Sequence, residues 1–186
     1  MNPVLREILD SRTVWTADNR RIPLHSGIPA LECEVLQSWI RECRPNRVLE
    51  IGMAYGVSSL FICDAIRDAP ETEYLILDPH QRSAWQSIGV LNLERAGYRG
   101  RFSVREEKSE FALPDLLASG CTWEFALIDG YHTFDHALVD FFYIHRMLPV
   151  GGVVVFDDVQ LPSIRRLTAH VSTYPCYERL PLPEPF

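Results

Sequence analysis

The chain has 186 residues, of which 47% are hydrophobic, 23% charged and 11% aromatic. That is the size and composition of one soluble globular domain, and it excludes a disordered chain, a coiled coil and a disulfide scaffold. The formal net charge of -7 opposes the counter-ion release that drives nucleic-acid binding, so no nucleic-acid partner is expected.

Residues 1–29 read as an N-terminal helix followed by a loop segment, and the sequence MNPVLREILDSR has no signal-peptide core. No stretch approaches the ~20 apolar residues of a membrane span, so a cytoplasmic protein without a membrane partner is expected. From residue 30 the pattern alternates. Helical periods at about 30–43, 57–67, 84–97, 109–119 and 133–147 separate short apolar runs at 47–52, 74–78, 125–129 and 152–157, with a weaker strand at about 101–105. Runs that are apolar throughout belong to strands covered by helices on both faces. The sequence therefore predicts an α/β, Rossmann-like, doubly wound and mostly parallel sheet over residues 30–172, strand order 3-2-1-4-5. A helix at about 162–172 follows, and then residues 173–186 with four prolines, where one short strand fits at about 176–180. The whole reads as a single domain. Cys33, Cys43, Cys63, Cys121 and Cys176 have no C-x-x-C spacing and read as reduced thiols rather than a zinc site.

In such sheets a ligand sits beyond the carboxyl ends of the strands, where strand order reverses. The first strand of the sheet runs into Glu50-Ile51-Gly52-Met53-Ala54-Tyr55-Gly56, which lacks the third glycine of the dinucleotide motif. An acid before the first glycine repels a phosphate and suits an ammonium. A ligand with an α-amino group, a carboxylate and an adenosine fits: Glu50 near the ammonium, the backbone of Gly52, Met53, Ala54 and Gly56 around it, and Ser58 with helix N–H groups on the carboxylate. That ligand is S-adenosylmethionine. Asp78, ending the next strand, is placed to accept the ribose hydroxyls.

Asp129 and the pair Asp157-Asp158 end neighbouring strands about 4.8 Å apart. Three carboxylates that close call for a hard divalent cation, Mg²⁺ first. His132 follows Asp129 by three positions, and histidine, with an ordinary pKa of about 6.5, accepts a proton near neutrality where lysine does not. Lys108 is the one lysine in the chain. His132 and His136 lack the Glu of H-E-x-x-H, so zinc is not expected.

The segments VLEIGMAYGVSSLFI, LDPH, SEFALPDL and FALIDGYHTFDHALVDFFYIHRMLPVGGVVVFDDV together resemble the class I methyltransferases. Among these they resemble the small O-methyltransferases of the catechol, caffeoyl-CoA and macrocin type, over roughly residues 25–172. The resemblance implies metal-assisted methyl transfer from S-adenosylmethionine to a hydroxyl of a small molecule. It places the adenine on Ser109 and Glu110, the metal on Asp129, Asp157 and Asp158, and the base at His132. Asp129 then serves catalysis, metal and cofactor together. The resemblance also implies that His25-Ser26-Gly27 passes a lid over the cofactor. Metal-independent N- or O-methylation, or cofactor binding without turnover, are the alternatives. Sheets of this class finish with two further strands, and a second does not fit here. Either it is absent, or a partner supplies the cover in a homodimer, or the natural chain is longer.

Overall fold

The computed structural model describes residues 1–182. Helix α1 (Pro3–Ser11) starts at Asn2, whose side chain accepts the Val4 N–H at 3.0 Å, the usual way of satisfying an orphan donor at a helix start. An antiparallel hairpin of β1 (Thr13–Trp15) and β2 (Arg21–Pro23) follows. Strands of three residues carry too little period to stand out in a sequence, and this hairpin lies in the segment that reads as a loop.

The central sheet is parallel throughout, in the order β5-β4-β3-β6-β7. Its strands are β3 (Arg47–Ile51), β4 (Glu73–Leu77), β5 (Ser103–Arg105), β6 (Phe125–Ile128) and β7 (Val153–Phe156). Counted within the sheet, this is the expected 3-2-1-4-5. Val48 faces a core layer built with α1, α2 (Ala30–Cys43), α3 (Val57–Ala65) and α4 (Ile88–Arg95), while its neighbour Leu49 faces the layer of α5 (Ser109–Ala118), α6 (Phe134–Met147) and α7 (Pro162–Val171). Burial on both faces explains why these strands are apolar at every position. The order reverses between β3 and β6, so the loops after those two strands flank the crevice where such folds take ligands. Among the described residues no helix is long and apolar enough to cross a membrane.

Two expectations change. The helix expected from about residue 84 begins at Ile88 instead, because Gln86 and Ser87 take left-handed φ values of 51° and 55° and end a run of turns after β4. No strand forms at 176–180. Tyr174 and Tyr177 instead pack on the ring of Phe141 in α6, and the Tyr177 hydroxyl meets His145 Nδ1 at 2.9 Å. Burying two aromatic rings outweighs a ladder that Pro175 and Pro181 cannot complete. β7 is therefore an edge of the described sheet.

Candidate active site

The loop after β3 is held by contacts that only glycine allows. Gly52 has φ +87°, and a Cβ there would lie 2.0 Å from the Asp129 carbonyl oxygen, so the β3 loop presses directly on the end of β6. Gly89, in α4, faces the same loop from the other side, where a Cβ would meet the Ala54 carbonyl at 2.6 Å. Ala54 itself is left-handed, φ +46°, a conformation that persists only where its surroundings impose it.

Asp78 imposes it. Its buried carboxylate accepts the backbone N–H groups of Met53 (3.1 Å) and Ala54 (3.0 Å) and the Gln81 amide (2.8 Å) on Oδ2, and the His80 N–H (2.8 Å) on Oδ1. Each carboxylate oxygen offers about two lone-pair sites; three donors crowd Oδ2 whereas Oδ1 accepts one, so Asp78 keeps one site on Oδ1 for a ligand hydroxyl. The expected two-hydroxyl clamp becomes a loop anchor with one free acceptor site.

Glu50 and Ser58 are not placed as expected. The Glu50 side chain is fully buried and accepts hydroxyl bonds from Ser58 (2.5 Å), Ser59 (2.6 Å) and Tyr74. It does not line the cavity. Burial pushes its pKa up to about 7, against the three hydroxyls that pull it down. The acid before the glycine loop therefore holds α3 to β3 and β4 from below. Ser58 reaches the cavity wall, but its proton is directed to Glu50, which leaves the backbone N–H groups at the start of α3 as donors for an anionic ligand group.

These elements enclose a cavity of about 370 Å³. One side is carboxylate-rich. Asp129, His132 and Asp158 each bring a ligand atom within 4.8 Å of the others, and His132 Nδ1 lies 3.0 Å from Asp158 Oδ2. The Ser163 hydroxyl donates to the His132 carbonyl at 2.6 Å and fixes that turn to the start of α7. Asp158 is left-handed, φ 55°. Asp157 also lines the cavity but stands outside the close trio, between Asp129 and Glu32 and within hydrogen-bonding reach of both. Burial and then the neighbouring Asp157 push the Asp129 pKa well above the usual carboxylate range, and burial raises Asp157 and Glu32 as well. Glu32 was not legible in the sequence: in the first turn of α2 it reads as a solvated acid favouring the helix dipole.

The other side is polar. Ser109 lines it, and Glu110 follows with a buried Oε2 that has no partner. Lys108, the one lysine in the chain, lines the wall with its ammonium 3.7 Å from Glu110 Oε1. Behind Gly130 lies Asp140, 2% exposed, with Oδ1 unpartnered and its pKa raised to about 6 by burial. Tyr131, which shares a 2.9 Å hydrogen bond with His80, and Trp85, edge-on to Tyr55, complete the rim, and Ser26 and Gly27 close it from the N-terminal segment.

The sequence matches the family described as the methyltransferase domain over residues 49–159, which runs from within β3 to just past Asp158. The chain belongs to that family. No curated protein matches the sequence of this methyltransferase. Among solved structures, its fold is similar to the O-methyltransferase of Bacillus cereus in complex with SAH (20% identity, 94% of this chain and 81% of that one, TM-score 0.72). It is similar also to the SAH-bound methyltransferase of Podospora anserina (17%, 99% and 85%, TM-score 0.75) and to an O-methyltransferase of Streptomyces achromogenes in complex with SAM (18%, 92% and 78%, TM-score 0.69). At such identities the likeness establishes the fold of the methyltransferase.

Proposed function

We propose that this methyltransferase transfers a methyl group from S-adenosylmethionine to a hydroxyl of a small molecule, with a divalent cation at the acidic corner. One observation carries the reading: the glycine loop with Asp78, the Ser109 wall and the trio Asp129, His132 and Asp158 all open into the same cavity. When bound, S-adenosylmethionine supplies an electrophilic methyl on a sulfonium. The start of α3 offers N–H groups to its carboxylate, the free Asp78 site accepts from the ribose, and Ser109 stands on the adenine side, with Glu110 behind the wall rather than on it.

The donors fit a cation. Ligand atoms within 4.8 Å of one another span the coordination sphere of a small divalent ion, and two carboxylates with room for waters suit Mg²⁺. Such an ion makes a bound hydroxyl more acidic. As the acceptor oxygen takes the methyl group from the sulfonium, its proton would pass to His132, whose Nδ1 faces Asp158 at 3.0 Å, while Asp129 and Asp158 would hold the ion. Holding oxygen, carbon and sulfur in line is the larger contribution, worth up to roughly 7–11 kcal/mol.

The His132–Asp158 pair also supports a second reading, in which this dyad alone removes the proton and no metal takes part. The two part on one experiment. With an acceptor drawn from a panel of vicinal diols and sugars, the leading reading expects activity to vanish in chelator and return with Mg²⁺ or Mn²⁺. Full activity in chelator selects the dyad. On either reading His132→Ala lowers kcat by about 10²–10⁴-fold and leaves cofactor affinity unchanged, while His136→Ala has little effect.

A further inference from the structure

We propose that the protein pairs with a second copy of itself along the outer ridge of α6, antiparallel about a twofold axis. α6 is the middle helix of its layer, packed between α5 and α7. Four of its residues, Asp135, Val139, Phe142 and Arg146, are exposed, and their spacing of four, three and four places them in one line along the helix. The line reads acid, apolar, apolar, base.

That order is self-complementary. Asp135 stands as far before Val139 as Arg146 stands after Phe142. A twofold axis between Val139 and Phe142 therefore sets Val139 against Phe142 of the partner subunit and Asp135 against Arg146 of the partner subunit, each pair occurring twice. This is the condition an isologous interface must meet. Antiparallel pairing also sets the opposite ends of the two helix dipoles side by side, whereas a parallel arrangement in register would face like with like.

The side chains are already arranged for it. Phe142 is 47% exposed, an unfavourable state for a large aromatic in a monomer, and Phe111 on the adjoining α5 is 61% exposed. The Arg146 guanidinium lies 3.5 Å from the centre of the Phe142 ring, so the basic and aromatic members of the ridge are held together. The Asp135 side chain is 81% exposed, and the ring of His136 lies 3.7 Å from it. It can accept a guanidinium without breaking an arginine or lysine pair. The alternative face, the β7 edge, reads Val153-Val154-Val155-Phe156 with every residue half-buried. It has no charge to fix a register.

Sedimentation equilibrium on the full chain tests this. We expect a dimer whose dissociation constant rises at least about tenfold in Asp135→Arg and in Arg146→Glu alone, since each places two like-charge pairs in the interface. It should return toward the wild-type value in the double variant. Phe142→Glu should be monomeric with an unchanged circular-dichroism spectrum. A wild-type monomer at the highest soluble concentration overturns the proposal. So does a double variant no tighter than either single one, or a dimer that survives Phe142→Glu, including one dissolved by Val154→Pro at the β7 edge.

Discussion

The Asp78 carboxylate accepts the Ala54 backbone N–H at 3.0 Å, a bond that ties the end of β4 to the loop after β3 and keeps Ala54 left-handed. Asp78 therefore serves fold and ligand together. Asp78→Ala leaves the Met53, Ala54 and His80 N–H groups and the Gln81 amide without their acceptor, at about 1–3 kcal/mol for an unpaired buried group. The expected outcome is a lower melting temperature together with weaker binding of S-adenosylhomocysteine, measured by thermal denaturation and calorimetry on the same protein. A loss of affinity with an unchanged melting temperature would assign Asp78 to the ligand alone.

Gly52→Ala tests the contact between the β3 loop and the end of β6. A Cβ 2.0 Å from the Asp129 carbonyl at a φ of +87° cannot be accommodated without moving one loop, and left-handed strain alone costs about 1–3 kcal/mol. The variant should lose at least that much stability in denaturant titrations and bind no cofactor analogue. Wild-type affinity in Gly52→Ala would mean that the loop yields freely.

The strand pattern and the strand-end acids were legible because each is local: unbroken apolar runs signal two-faced burial, and an acid at a strand end lies where the ligand crevice opens. The partners of those acids were not. That Glu50 turns inward to Ser58, Ser59 and Tyr74 depends on which side of β3 it faces. That Glu32, many residues upstream, approaches Asp157 depends on how α2 lies across the sheet. The same holds for Lys108, remote from Asp129 in the chain yet on the wall of the same cavity. The missing strand at 176–180 has a different cause, since the aromatic surface that captures Tyr174 and Tyr177 belongs to another helix.

Glu50 makes stability depend on pH in an unusual direction. Its pKa rises from an ordinary 4.5 to about 7 on folding, so between those values the folded state holds a proton that the unfolded state releases. The stabilisation is complete below the lower value and is lost as pH climbs through the upper one, by about 3 kcal/mol at 1.36 kcal/mol per unit. Asp140, raised to about 6, acts in the same direction. Chemical denaturation should show stability falling as pH rises from about 5 to about 8, and Glu50→Gln should flatten the slope. A stability that rises over that range contradicts the buried, proton-holding Glu50.

The acidic corner should answer to cations in the opposite sense. Because burial and mutual repulsion raise the pKa values of Asp129 and Asp157, acid pH fills these groups with protons that a metal must displace. Mn²⁺ should raise the melting temperature near pH 8 and lose that effect in mild acid, and Asp158→Ala should abolish it at pH 8. A Mn²⁺ shift that survives Asp158→Ala would place the ion elsewhere.

Titration calorimetry of S-adenosylhomocysteine into the wild-type chain, with NAD as the comparison, tests the central claim most directly. The cavity has a glycine loop without the third glycine, an anchoring Asp78 with one free acceptor site and a carboxylate-rich far wall. The account predicts one site for S-adenosylhomocysteine, unchanged in His132→Ala, and no heat from NAD. Binding of NAD, or no binding of S-adenosylhomocysteine by the folded protein, would contradict it.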